Sequence, residues 1–319
     1  MTDLTTQIDA ILHGAAFAPI TDRAFLRITG PDATRWLNGM VTNNIKDLKP
    51  GEGNYNFLLN AQGRIQGDCT IYREPGDGDP TYLLETSTYQ LETIHQLLDK
   101  FIIMDDVELN PAMTDKLGLL VLGTGALGTL DVGLIWPTPP ISISYGSVAD
   151  PAVSGKEVIL SVAPNLYEVW GDASLIAWMS SLGERQVSPE ALEAYRILSG
   201  TPKYGVDIRN TDTNKDLPQE TAQTHALNFN KGCYLGQEIV ERIHSRGNVH
   251  RIFTPFTLSG ELPTLPTPLE ANGKSVGELT SAVQIGDTIY ALGYARREAL
   301  DTKATLTYVG GTATPRNLN

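Results

Sequence analysis

The order of apolar and polar positions divides the chain into short strands and short amphipathic helices. Residues 24–28 form a compact apolar block that predicts a strand. Thr29-Gly30-Pro31-Asp32 then marks a helix start, with Pro31 near the first helical position. Trp36, Leu37, Met40 and Val41 follow at helical spacing. After a turn at 50–53, residues 55–59 and 64–72 read as a hairpin joined by Asn60-Ala61-Gln62-Gly63. Residues 82–85 predict another short strand, and Leu91, Ile94, Leu98, Phe101 and Ile102 mark a second amphipathic helix.

Strands are expected at 107–109, 117–122 and 166–170. Residues 133–160 are rich in Pro, Gly and β-branched side chains and carry no helical pattern. Asp172 can cap a helix running to Gly183, and Ser188-Pro189 opens another that ends near Gly200. After Ile252 the character changes: prolines 255, 263, 266 and 268 punctuate short β-rich segments up to Val309. The fold class that follows is α+β, a mixed body over 1–250 and an all-β module over 251–319, a barrel or a small sandwich.

The 319 residues hold 24 Lys and Arg against 37 Asp and Glu, a net charge of −13, the wrong sign for general DNA or RNA affinity. Two cysteines, Cys69 and Cys233, exclude a disulfide framework and a four-cysteine cluster site within one chain. The first basic residue is Arg23, and no apolar run approaches the roughly 20 residues of a membrane helix. A soluble, cytoplasmic protein is the expectation, with no membrane partner.

Gly123-Thr124-Gly125-Ala126-Leu127-Gly128 spells a dinucleotide-binding pattern, but Gly133, Pro137 and Pro139-Pro140 leave no room for the helix that such a site needs. The richer stretch is Lys231-Gly232-Cys233-Tyr234-Leu235-Gly236-Gln237-Glu238. Its glycines permit a tight turn, and Ile239, Val240 and Ile243 continue as a helical stripe. Cys233 is then either a thiol tuned by Lys231 and the helix N-terminus, or a small buried structural cysteine. Residues 231–251 also form a basic island: Lys231, Arg242, Arg246 and Arg251 against Glu238 and Glu241. It either holds an anionic tail or is a solvated face with a Glu238–Arg242 pair. Cys233, His244 and His250 match no common zinc spacing, so no metal site is expected within the chain; a cluster shared between two proteins stays open. Strand alternation puts Glu168 and Trp170 on one face, a carboxylate beside an indole that suits a flat, nitrogen-rich ring; the bland alternative is a residue at a strand edge.

The segment 231–238, with Glu241-Arg242-Ile243-His244 and Arg246-Gly247, resembles the signature of the YgfZ family, folate-binding-fold proteins linked to iron–sulfur cluster assembly and repair and related to the glycine-cleavage T-protein, an aminomethyltransferase. Residues 26–32 and 39–43, Gly63-Arg64, the spacing Arg196, Gly200, Pro202, Gly205, Asp207, the block Leu217-Pro218-Gln219-Glu220, and Gly273–Gly277 with Leu279-Thr280-Ser281 are similar to other blocks of that family. The resemblance implies an aminomethyltransferase-like folate-binding body, a C-terminal antiparallel β-barrel and a central channel for tetrahydrofolate. It implies that Glu168 meets the pterin; the strand alternation adds Trp170 as a stacking partner, and the basic island adds Arg242 and Arg246 as contacts for an anionic tail or a partner. No catalytic aspartate of the T-protein type is placed.

The expected function is a tetrahydrofolate-binding factor for assembly or repair of iron–sulfur enzymes, with cluster-dependent tRNA-modifying enzymes among possible clients and assembly proteins as partners. Cys233 is its functional thiol, open to transient contact with a cluster. Lys231 would tune that thiol, Gly232 and Gly236 would set the turn, and Tyr234, Gln237 and Glu238 would shape the wall. Two alternatives remain: a folate-dependent one-carbon transferase, and a redox protein in which Cys69 approaches Cys233.

Overall fold

The computed structural model describes residues 3–126, 141–146, 157–181, 185–211, 215–247 and 249–318. Helix α1 (Leu4–His13), which Asp3 caps by accepting from the Thr6 amide, opens the chain. It precedes β1 (Ala16–Ile20) and β2 (Arg23–Thr29). The pattern reading missed α1 and β1: α1 is short and buries only Ile8 and Ile11, and β1 carries Pro19. That proline is tolerated because β1 is an edge strand.

Helix α2 (Ala33–Met40) buries the expected Trp36, Leu37 and Met40. Pro31 lies ahead of the helix rather than in its first turn; Asp32 is the cap position, and its carboxylate accepts from Arg35 and the Asp106 amide. The hairpin is β3 (Gly53–Leu59) and β4 (Ile65–Arg73). Its turn closes on the Asn60 carboxamide oxygen, which accepts from the Gln62 and Arg64 amides. β5 (Tyr82–Ser87), α3 (Thr88–Asp99) and β6 (Glu108–Ala112) complete the first half.

β7 (Leu117–Leu122), β8 (Ser142–Gly146), β9 (Glu157–Ala163) and β10 (Leu166–Gly171) follow, then α4 (Ala173–Ser181) and α5 (Pro189–Leu198). Asp172 accepts from the Ser174 amide at the start of α4, and Ser188 from the Ala191 amide at the start of α5. Of the dinucleotide-like pattern, Leu127 and Gly128 lie outside the described residues, as do Gly133, Pro137, Pro139, Pro140 and Gly183.

Two five-stranded antiparallel sheets result, in the orders β3-β4-β5-β2-β6 and β1-β7-β10-β9-β8. Alternation sends Phe25, Tyr72 and Leu83 of the first sheet, and Val158, Leu160 and Trp170 of the second, into one shared core. The outer face of the first sheet is covered by α2 and α3 through Trp36, Leu37, Ile94 and Leu98. The outer face of the second is covered by α4 through Leu175 and Trp178. Each such large apolar side chain contributes roughly 2 kcal/mol of burial, so the sandwich is held by its layers rather than by helix propensity.

After α6 (Gln237–Arg246), strands β11 (Arg251–Gly260), β12 (Thr267–Ala271), β13 (Lys274–Ile285) and β14 (Thr288–Arg296), helix α7 (Arg297–Asp301), then β15 (Leu306–Tyr308) and β16 (Gly311–Pro315) form the last unit. It is a closed six-stranded barrel in the order β11-β14-β13-β12-β15-β16.

Several sequence blocks turn out to fasten this barrel to the body. Buried Asp207 accepts from Arg196 (2.6 Å), the Lys203 amide (2.9 Å), Thr280 (2.5 Å) and Ser281 (2.8 Å). Arg251 at the start of β11 donates to buried Asp216 (2.5 Å) and to Glu220 (3.3 Å). Arg209 pairs with Glu278 of β13. No described helix is long and apolar enough to cross a membrane.

Candidate functional site

Residues 231–236 form an ordered loop that leads into α6. Lys231 is buried, and its Nζ donates to the carbonyls of Val41 and Asn43, each at 2.6 Å. Nζ also stands 5.0 Å from the Tyr234 ring centroid. Burial pulls its pKa down to about 7. The two bonds make Lys231 Nζ an anchor that ties the loop to the end of α2. The Leu235 amide adds a bond to the Gly39 carbonyl at 3.1 Å.

Gly236 caps α6 at φ +83, and a Cβ there would meet the Asn60 carbonyl at 2.5 Å. Only glycine joins that φ with so close an approach to the hairpin turn. Gly232 is different: a Cβ there meets nothing within 4 Å. The turn is set by Gly236 alone. Gln237 reaches back to the Tyr234 amide (3.2 Å) and forward to Glu241 (2.6 Å). Tyr234 packs with Phe57, Leu59, Ile65 and Val240, its hydroxyl buried with no hydrogen-bond partner among the described residues, and burial pushes its pKa up to about 12.

Cys233 sits at the crest of this loop, exposed and unbonded to another cysteine. Cys69 is also free but is 2% exposed, on the opposite face of the hairpin among Leu37, Ile71 and Ile94, and burial drives its thiol pKa well up. This removes the redox reading: the second thiol is sealed in the core under α2 and α3.

Glu238, Arg242 and Arg246 are exposed on α6. Among the described residues no ion pair joins Glu238 to Arg242, and Arg242 and Arg246 make none. The helix face is solvated and mixed in charge, with Glu238 and Glu241 exposed beside Arg242 and Arg246. His244 stacks on Phe229 at 3.8 Å, and among the described residues no three His, Cys, Asp or Glu side chains converge as a metal site.

Glu168 and Trp170 share a face of β10, as strand alternation requires, and this face looks into the core between the sheets. The Trp170 Nε1 donates to Glu168 Oε2 at 3.0 Å. Glu168 Oε1 stands 3.6 Å from Arg23 Nε, which also contacts Glu85 at 3.0 Å. Tyr72 donates to the other Glu85 oxygen at 2.9 Å. Burial, reinforced by Glu85 and opposed by Arg23, raises the Glu168 pKa to about 8. The Trp170 ring meets Phe25 edge-on at 4.9 Å and covers Gly118, where a Cβ would be 2.7 Å from the indole.

Tetrahydrofolate, which the resemblance implies, fits this arrangement poorly. A pterin is held by a carboxylate whose oxygens are free to accept from ring N–H and amino groups. Here one oxygen accepts from Trp170, the other faces Arg23, and Glu168 is 1% exposed. No described hydrogen bond or ion pair links this cluster to residues 231–246.

Sequence reasoning passed over Arg23, Glu85, Asp68 and Tyr55. Asp68 accepts from Tyr55 (2.6 Å) and Gln90 (2.7 Å), and burial raises its pKa. The available signal was an acid within an apolar strand, as in Leu83-Leu84-Glu85.

The family described as GCVT N-terminal domain matches residues 5–222, and the CAF17 C-terminal beta-barrel domain matches 251–317. Among curated proteins, the chain is 25% identical to the iron-sulfur cluster assembly factor IBA57 homolog, mitochondrial, of Neurospora crassa, covering 79% of this chain and 56% of that protein. It is 26% identical to the Mycosarcoma maydis homolog (90% and 76%) and to the Mus musculus IBA57, mitochondrial (83% and 70%). The chain thus spans little more than half the length of the first of these relatives. Among solved structures, the glycine cleavage system aminomethyltransferase T from Bartonella henselae superposes with a TM-score of 0.77 at 18% identity, over 99% of this chain and 88% of that one. That likeness confirms the aminomethyltransferase-like fold. The expectation of a cytoplasmic protein is corrected: these curated relatives are named as mitochondrial proteins.

Proposed function

Because the chain belongs to the family of the GCVT N-terminal domain, we propose that it is an iron–sulfur cluster assembly factor whose working group is the Cys233 thiol. The relatives named as iron-sulfur cluster assembly factors support the role. The segment 231–238, with its likeness to the YgfZ signature, supports the residue. The observation that carries the reading is the contrast between the two thiols: Cys233 is presented at the crest of a loop pinned by Lys231 and Gly236, while Cys69 is buried.

In this reading the loop is a rigid platform. Lys231 and Gly236 fix its two ends against α2 and the hairpin turn, so the thiol meets a partner at low ordering cost. An exposed thiolate is a competent soft ligand for cluster iron, which here is cargo passing between proteins rather than a resident group. Partners are assembly proteins or the client enzymes themselves.

The test is complementation in cells lacking the protein, reading the activity of [4Fe–4S] enzymes. Cys233→Ala should lose support while Cys69→Ala retains it at equal protein level. Full support by Cys233→Ala would refute the thiol's role.

A further inference from the structure

We infer that Glu168 works inward, as one half of a buried clamp that Arg23 closes between the two sheets, and that the chain takes no reduced folate at this carboxylate. Four observations converge on it. Both oxygens already have partners within the protein, the Trp170 N–H and the Arg23 guanidinium. The group is 1% exposed and its neighbours Glu85 and Trp170 are 5% exposed each, while the Arg23 side chain over them is 35% exposed, so a ring reaches Glu168 only by displacing Arg23. The indole is committed to Phe25 and to the backbone of Gly118. Around these lie Tyr72, Leu83, Val158 and Leu160, an apolar wall continuous between the layers.

The chemistry of the cluster points the same way. Glu85 and Glu168 face one arginine, so two buried carboxylates share one partly exposed cation. Such a site is most stable with one proton retained on the pair. Burial raises Glu168, and a carboxyl that keeps its proton offers pterin N–H groups an O–H donor and less acceptor capacity than a carboxylate does. Arg23, gripped by β5 through Glu85 and by β10 through Glu168, bridges the two sheets, and the Tyr72 hydroxyl closes the set. Any folate that the protein accepts must find its polar anchor elsewhere.

Anaerobic calorimetry with tetrahydrofolate on the full chain tests this, with wild type beside Glu168→Gln. No saturable heat from wild type supports the clamp, and so does saturable binding that Glu168→Gln leaves unchanged. Saturable binding by wild type that weakens about tenfold or more in a folded Glu168→Gln overturns it, since that is the scale of a lost charge-assisted hydrogen bond. Infrared spectra of wild type with labelled glutamate need no variant. A protonated-carboxyl band at neutral pH that tetrahydrofolate leaves in place is expected; loss of that band on adding tetrahydrofolate overturns the inference. The complementation result for Cys233 is independent of either outcome.

Discussion

The Lys231 ammonium donates to the carbonyl of Val41 at 2.6 Å, across 190 positions of chain. That bond, with its partner to Asn43, makes the loop before α6 part of the N-terminal half of the body. Lys231→Met should leave two carbonyls without their donor and destabilise the protein by about 1–3 kcal/mol. Urea unfolding read by circular dichroism measures it, and an unchanged midpoint would show that the anchor is dispensable.

The same burial gives Lys231 a pH signature. With its pKa lowered from 10.5 to about 7, the folded chain binds fewer protons than the unfolded chain between those values. Stability from this group therefore rises with pH above about 7 and levels off near 10.5. Glu168 acts in the opposite sense. Its pKa is raised from 4.5 to about 8, so its contribution is fully present below 4.5 and falls as pH climbs to about 8. Unfolding free energies measured from pH 4 to 10 should therefore flatten below about 8 in Glu168→Gln, and above about 7 in Lys231→Met.

Two glycines, one five residues before the helix start and one at its cap, should behave differently. Gly236→Ala puts a Cβ 2.5 Å from the Asn60 carbonyl at φ +83 and should cost about 2 kcal/mol or more. Gly232→Ala meets open space and should stay within about 0.5 kcal/mol of wild type. Thermal unfolding of both variants is the check, and equal losses would mean that the loop differs from this geometry.

Thiol labelling separates the cysteines. An aromatic disulfide reagent should titrate Cys233 at once in the native protein and reach Cys69 only on unfolding. Prompt labelling of Cys69 in a Cys233→Ala background would contradict its place in the core.

The seam between body and barrel rests on buried Asp207. Asp207→Asn removes the charge that faces Arg196 and should cost about 3 kcal/mol, the scale for breaking a buried pair. Limited proteolysis should then cut between α6 and β11 faster than in wild type; equal rates would place the seam's strength elsewhere.

Much of the architecture was legible from local pattern. The α2 stripe, the 55–72 hairpin, the caps Asp172 and Ser188 and the change of character at the barrel are written in nearest neighbours, because period and cap chemistry act within a turn or a pleat. Helix α1 and strand β1 were not legible. Ile8 and Ile11 make too small a stripe, and Pro19 speaks against a strand unless the strand is known to lie at an edge.

The candidate site divides along the same line. The sequence alone singled out candidate residues: a lysine, a thiol and two glycines in one octapeptide, and an acid beside an indole on one strand face. Only the tertiary structure decided what they touch. Lys231 meets carbonyls 188 and 190 positions away rather than the thiol, Gly236 meets the hairpin turn, and Glu168 meets Arg23 and Trp170 in a closed core. Hydrogen-bond partners and desolvation are set by contacts between segments distant in sequence, and no local pattern encodes which carbonyl an ammonium will find.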